Sequence, residues 1–153
     1  YRMETIDTSA WLTGIAATLG NPRLVVDVPD DLPPTHGDHD ALVSVVANLL
    51  DNAFKYSPPE QPVTLRASSE NGAVTVSVTD LGPGIPPQER QRVFDRFYRG
   101  AGEVSLRVKD AGIGLSLVKR IVEDHGGSVS LESRPGAGST FAIFLKTREE
   151  PLP

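Results

Sequence analysis

Cysteine is absent from the 153 residues. That excludes disulfides, thiolate metal centres and thiol nucleophiles as sources of stability or chemistry. Long apolar runs are missing too: nothing approaches the roughly 18 residues a membrane-crossing helix needs, and the opening YRMETIDTSA lacks a basic start followed by an apolar stretch. Cationic excess is lacking, since 15 Lys and Arg against 20 Asp and Glu give a net charge of -5. Nucleic acid is therefore not an expected partner, although a local basic patch can still hold a nucleotide. Several signatures are also missing. There is no GxxxxGK[ST] phosphate loop, no GxGxxG leading out of a strand and no GxSxG nucleophile elbow. Phosphate binding, if present, needs another architecture, and a serine triad has no anchor.

What is present is ordinary globular material, 39% hydrophobic, with the length of one domain. One domain over 1–153 is expected, and a first residue of Tyr rather than Met predicts a fragment of a longer protein. TSAWLTGIAATL (8–19) predicts a helix behind a Ser or Thr cap, with Trp11, Leu12, Ile15 and Leu19 on one face. RLVVDV (23–28) predicts a strand. Residues 38–56 predict a packed helix through Leu42, Val45, Val46, Leu49 and Leu50, stopped by SPP. VTLRASS (63–69) and AVTVSVTD (73–80) alternate with period two around Asn71-Gly72 and predict a hairpin.

The basic stretch 81–111, with Arg90, Arg92, Arg96, Arg99, Arg107 and Lys109, breaks all periodicity. It reads as a long functional loop with a short helix near PQERQRVFDRF. Helical spacing resumes from Gly114 to His125 and is terminated by Gly126-Gly127, where positive partial charge on His125 would suit the helix end. SVSLES and STFAIFLK supply two last strands, and the tail REEPLP should be loosely held. The order predicts an α/β two-layer sandwich: a mixed sheet of about five strands covered on one face by three helices.

Three stretches carry polar residues that packing does not require. In NLLDNAFKYS (48–57), Asn48 and Asn52 share a helix face, with Lys55 three residues further on. Asn is a mediocre helix former, its carboxamide oxygen is a hard neutral ligand suited to magnesium, and Lys55 can reach phosphate. Tyr56 can cover a planar base or cap the core. A solvated polar face is the bland alternative for this stretch. In DLGPGIP (80–86), Asp80 ends a strand and can accept a hydrogen bond from an exocyclic amino group, which would select adenine, while Gly82 and Gly84 permit positive φ or close backbone approach. An Asx-type turn is the competing explanation. In DAGIGLSLVKRIVEDHGG (110–127), Gly112 and Gly114 stand at a predicted helix start, where unpaired N–H groups attract anions; a tight turn is the alternative. His36, Asp38, His39 and Asp40 lack a distant ligand set, so capping and loop roles are preferred to zinc.

Taken in order, these blocks resemble the ATP-binding catalytic domain of bacterial sensor histidine kinases, in the gyrase/Hsp90/histidine-kinase/MutL superfamily. NLLDNAFKYS is similar to the N box, DLGPGIP to the G1 box, FDRFYRG to the F box and DAGIGLSLVKRIVEDHGG to the G2 box, followed by GAGSTF, with matching order from about residue 5 to 147. The resemblance implies a Bergerat-type fold holding ATP and magnesium, with a flexible lid over about 98–111. It further implies that Asn52 coordinates Mg2+ with Asn48 assisting, that Lys55 contacts phosphate and that Tyr56 packs near the adenine. Asp80 would hold the adenine amino group with Thr140 supporting its water, Gly82, Gly84 and Ile85 would shape the base pocket, and Gly112, Ile113, Gly114 and Leu115 the phosphate side. Phe94 and Phe97 would anchor the lid, and Arg99 would approach the transferred phosphate.

Two departures qualify that picture. ATPases of the superfamily carry Glu four residues before the magnesium Asn; Asn48 stands there, which disfavours water activation. Asp110 stands where many kinases have a first glycine, placing a carboxylate near polyphosphate. None of His36, His39 and His125 lies in a phosphoacceptor pattern. The resemblance therefore implies a histidine on a separate dimerisation and phosphotransfer domain, a response regulator downstream, a monomeric isolated domain, a homodimeric whole, and a cytoplasmic domain of a membrane-anchored sensor. The competing readings are a gyrase- or MutL-like ATPase, a serine-kinase relative, or an interaction module with weakened catalysis.

Overall fold

The computed structural model describes residues 1–89, 93–94 and 106–147. Its first helix, α1 (Thr8–Leu19), is capped by Asp7 rather than by Ser or Thr: the Asp7 carboxylate accepts the Ala10 N–H at 3.1 Å. The two hydroxyls are used elsewhere. Thr8 donates to the Pro33 carbonyl at 2.6 Å and Ser9 to the Pro29 carbonyl at 2.7 Å, satisfying loop acceptors that burial would otherwise strand. Gly20, with φ +59, ends α1 in the left-handed conformation that glycine adopts without a Cβ clash.

Helix α2 (His39–Tyr56) buries Leu42, Val45, Val46, Leu49, Leu50 and Ala53 as its periodicity predicts, and Ser57 caps its end before Pro58. Helix α3 (Leu106–Asp124) buries Leu115, Val118, Ile121 and Val122. It begins eight residues before the expected start at Gly114, so residues 106–111, assigned from sequence to the loop and lid, are helical. No proline interrupts LRVKDAGIG, and Gly112 and Gly114 weaken a helix by roughly 1 kcal/mol each without forbidding it.

Strands β1 (Met3–Ile6) and β3 (Thr35–Asp38) form a two-stranded antiparallel ribbon that sequence patterning did not predict. The main sheet contains β2 (Leu24–Asp27), β4 (Val63–Glu70), β5 (Ala73–Asp80), β6 (Ser128–Ser133) and β7 (Ser139–Lys146), in the order β2-β4-β5-β7-β6. β2 and β4 are parallel, as a crossover through α2 demands; the other pairs are antiparallel. Asn71 (φ +51) and Gly72 (φ +77) turn the β4–β5 hairpin in the left-handed pair of conformations typical of a two-residue turn. The three helices pack on one face of this mixed sheet, so the expected layer arrangement stands. Among the described residues no helix is long and apolar enough to cross a membrane.

One polar clasp holds the start of α2 to the end of α3. His125 Nδ1 lies 2.7 Å from the Ile121 carbonyl and its Nε2 lies 3.0 Å from the Asp38 N–H. A carbonyl only accepts and an amide N–H only donates, so the ring is the neutral Nδ1–H tautomer. Through these two bonds the ring bridges the two helix ends. Asp38 itself accepts the Arg2 N–H at 2.6 Å and the Ala41 N–H at 2.8 Å, and these bonds hold its carboxyl below the usual carboxylate range. A depressed folded-state pKa means that stability is gained above the unfolded value near 3.8 and lost as pH falls through the folded one. Acid titration of thermal stability should therefore show a steeper acid limb for the native chain than for Asp38→Asn, with the two alike near neutrality in slope.

Candidate nucleotide site

The inward register of β5 sets the first half of the site. Val74, Val76 and Val78 are fully buried on the core face, and period two puts Asp80 on that same face with 1% exposure. Its Oδ1 accepts the Gly82 N–H at 2.8 Å, the bond expected of an Asx turn.

Gly82 is needed for close approach. A Cβ there would lie 2.6 Å from the Tyr56 carbonyl oxygen, so the corner sits directly against the last turn of α2. Gly84 (φ +78) is also needed for close approach, on the other side of the corner. A Cβ would overlap the Arg134 carbonyl, so this glycine seats the corner on the β6–β7 turn. Two further bonds complete that seat: Gly136 N–H to the Pro83 carbonyl at 2.7 Å, and Ile85 N–H to the Ser133 hydroxyl at 2.7 Å. Ile85 is fully buried within the core.

The second half is the polar stripe of α2. Asn52 is 5% exposed, and neither its Nδ2 nor its Oδ1 has a hydrogen-bond partner among the described residues. Asn48 donates through Nδ2 to the Ser44 carbonyl at 2.8 Å, which fixes the amide so that Oδ1 faces α3. A Cβ on Gly114 would lie 3.1 Å from that oxygen. Lys55 is exposed, with Nζ 6.0 Å from the Tyr56 ring centroid. Asn48, Asp51, Asn52, Lys55, Tyr56, Gly114 and Leu115 line one recess of about 140 Å³.

Thus the stripe of α2 meets the Asp80 corner at one side and Gly114 at the other. Three stretches distant in sequence converge on one helix.

Several expected residues fall differently. Thr140 pairs with Thr79, hydroxyl to hydroxyl at 2.9 Å, on the sheet face away from Asp80; the residue opposite Asp80 is Ser139, buried to 3%. Thr79, Asp80, Ser139 and Thr140 nevertheless all line one cavity of about 420 Å³ at that end of the sheet. Ser133 and Ser139, whose hydroxyls are 2.8 Å apart, buttress the corner and were missed; their signal lies in a strand register that no local pattern discloses. Gly112 and Gly114 lie inside α3 rather than at its start, so their N–H groups belong to the helix interior and are not free anion donors there. Of Ile113 only its place in α3 is described. Phe94 is half-buried and meets the Phe141 ring edge-on at 5.9 Å. Phe97, Arg99 and lid residues 98–105 lie outside the described residues.

With this geometry established, comparison with known proteins identifies the class. Residues 37–149 match the family model described as histidine kinase-, DNA gyrase B- and HSP90-like ATPase, and the chain belongs to that family. It is 37% identical over 131 residues to the sensor-like histidine kinase SenX3 of Mycobacterium tuberculosis, covering 86% of this chain and 32% of SenX3. It is 40% identical over 136 residues to the sensor protein DivL of Caulobacter vibrioides, covering 88% of this chain and 17% of DivL. The solved structure of the mycobacterial sensor histidine kinase MprB superposes with a TM-score of 0.76 at 31% identity, covering 97% of this chain and all of that one. Full-length ShkA in complex with AMPPNP gives 0.79 at 30% identity, covering 98% and 32%.

Within the family the chain is the catalytic, ATP-binding domain of a bacterial sensor histidine kinase, with the Bergerat-type fold. It spans about a third or less of the length of these curated relatives.

Proposed function

We propose that this domain binds Mg-ATP across the α2 stripe and the Asp80 corner, and donates the γ-phosphoryl group to a histidine on a separate dimerisation and phosphotransfer domain. The observation that carries the reading is the Asn52 amide, buried with both polar atoms unpartnered among the described residues. Leaving such a group unmet costs roughly 1–3 kcal/mol, a cost that a polar ligand arriving in the recess would remove. A neutral carboxamide oxygen suits magnesium, and Asn48 Oδ1 stands one turn earlier on the same face. Bound magnesium would supply charge neutralisation for the phosphates.

Each remaining group has a task that its chemistry permits. Lys55 offers a positive charge at the rim for phosphate, and Tyr56 an aromatic surface for the base. Asp80 accepts the adenine amino group through the carboxyl oxygen not engaged by Gly82. Arg99 would approach the transferred phosphate. Asn48 cannot take a proton from water as a carboxylate would, which favours transfer to a side chain over hydrolysis. Catalysis then rests on positioning and charge stabilisation, with the response regulator as onward recipient. The intact protein would be a membrane-anchored homodimeric sensor with this domain in the cytoplasm.

Titration with a non-hydrolysable ATP analogue tests the reading. Saturable binding that needs magnesium is expected, with little ADP formed from ATP until a phosphoacceptor domain is added. No binding at millimolar nucleotide would defeat it, and fast ADP release without an acceptor would favour a gyrase- or MutL-like ATPase.

A further inference from the structure

On the side of α2 away from the nucleotide stripe lies a larger feature, a groove of about 960 Å³ between α1 and α2. Its floor is apolar, built from Trp11 and Ile15 of α1 and Val43, Leu50 and Phe54 of α2. On each helix the lining positions recur every three or four residues, so two stripes run side by side for about three turns or more. Small residues keep it open: nothing lies within 4 Å of where a Gly14 side chain would begin, and glycine inside a helix has a cost in stability relative to alanine. Packing within the domain does not explain that cost.

Three further observations bear on what fills it. The indole N–H of Trp11 is buried with no acceptor among the described residues, so the ring meets the groove as an apolar surface. The rim is acidic: Glu4, Asp7 and Asp51 line the groove beside His39, and among the described residues no Lys or Arg lines it. The neighbouring Arg23, stacked over Phe54 at 5.3 Å, spends its guanidinium on the Gln61 and Pro58 carbonyls. An acidic rim around an apolar trough repels anionic lipid and attracts cations.

We infer that the α1–α2 groove docks an amphipathic helix with basic flanks from a partner protein, its apolar face on Trp11 and its cations against Glu4, Asp7 and Asp51. Two parallel-sided helical stripes leave the space a third helix fills, with i, i+3, i+4 and i+7 side chains as anchors. Asp51 lines both this groove and the nucleotide recess, whereas Trp11, Gly14 and Glu4 line the groove and not the recess.

Trp11 is the chain's single tryptophan, so its fluorescence reports the groove directly. The probe is a synthetic helix-forming peptide with leucines at i, i+3, i+4 and i+7 and lysines along the flanks; its control carries glutamates in place of the lysines. The lysine peptide should shift Trp11 emission saturably, with the glutamate peptide weaker by about tenfold or more. Gly14→Leu, which enters open space and keeps the fold, should weaken the lysine peptide by about tenfold while leaving ATP-analogue binding unchanged. Glu4→Lys should weaken it without touching the floor. Equal binding of both peptides, or no effect of Gly14→Leu, overturns the inference. So does self-association abolished by Gly14→Leu, which would make the occupant a second copy, or a Trp11 shift with anionic vesicles, which would make it a membrane.

Discussion

Replacing Asn52 with leucine should make the domain more stable and abolish Mg-nucleotide binding. The two effects have opposite signs because one property of Asn52 causes both. Its side chain is 5% exposed and neither polar atom has a partner among the described residues, while its helix neighbours Leu49 and Ala53 are fully buried. Leucine has nearly the same size and nothing to satisfy, so removing the stranded amide should gain about 1 kcal/mol, read as a shift of the denaturant midpoint at constant slope. The same exchange removes the carboxamide oxygen proposed for magnesium, and affinity for a magnesium-ATP analogue should fall by about a hundredfold or more. Asn52→Asp should restore part of the affinity, since a carboxylate is also a hard oxygen ligand. A structural Asn52 would behave otherwise: Asn52→Leu would lose stability and leave the surviving folded fraction binding nucleotide normally.

This opposition also shows why the site was partly legible before any fold was known. Local signals were faithful: the α2 periodicity marked the buried row from Leu42 to Leu50, and two asparagines in a helix that did not need them marked the polar stripe that lines the recess. The Asn71-Gly72 turn and the alternation of β5 placed Asp80 at the end of an inward row. What failed was non-local. The β1–β3 ribbon pairs Met3 with Asp38 and Ile6 with Thr35, in segments too short and polar to announce a strand. The pairing of Asp80 with Ser139, 59 residues on, decides that Ser139 and not Thr140 shares its face. The seat of Gly84 against the Arg134 carbonyl was likewise out of reach, because that carbonyl arrives from another hairpin. The early start of α3 escaped because its first turns contain two glycines, and propensity alone reads those as an end rather than a weak interior.

The position of α2 gives these errors and successes a common frame. One helix presents buried leucines and valines to the sheet, an amide stripe to the nucleotide recess, and Val43, Leu50 and Phe54 to the α1 groove. A segment seated in the groove would press on the same helix that carries Asn48 and Asn52, one face away. Only the first of these faces is specified by hydrophobic periodicity. The other two are distinguished by the cost of what they expose: unmet amides on one, and an unneeded glycine and apolar floor on the other.

Asp80→Asn should separate the adenine reading of the DLGPGIP corner from a turn-only reading. Asparagine keeps an oxygen for the Gly82 N–H, now at 2.8 Å, and has the same shape, so the seat of the corner on Ser133 and Arg134 should persist and stability should change by less than about 1 kcal/mol. What changes is the second position of the side chain. A carboxylate oxygen that accepts the adenine amino group becomes an NH2 donor facing another donor, and a charge-assisted bond worth roughly 1.5–3 kcal/mol is replaced by a clash of like groups. Affinity for the ATP analogue should fall between about tenfold and several hundredfold. The inosine analogue, which presents a carbonyl at the same place, should lose less and come to rival it, so that calorimetric titration with both bases reads discrimination as well as affinity. If the domain instead melts far below the native chain while its remaining folded fraction binds both bases as before, Asp80 serves the turn alone.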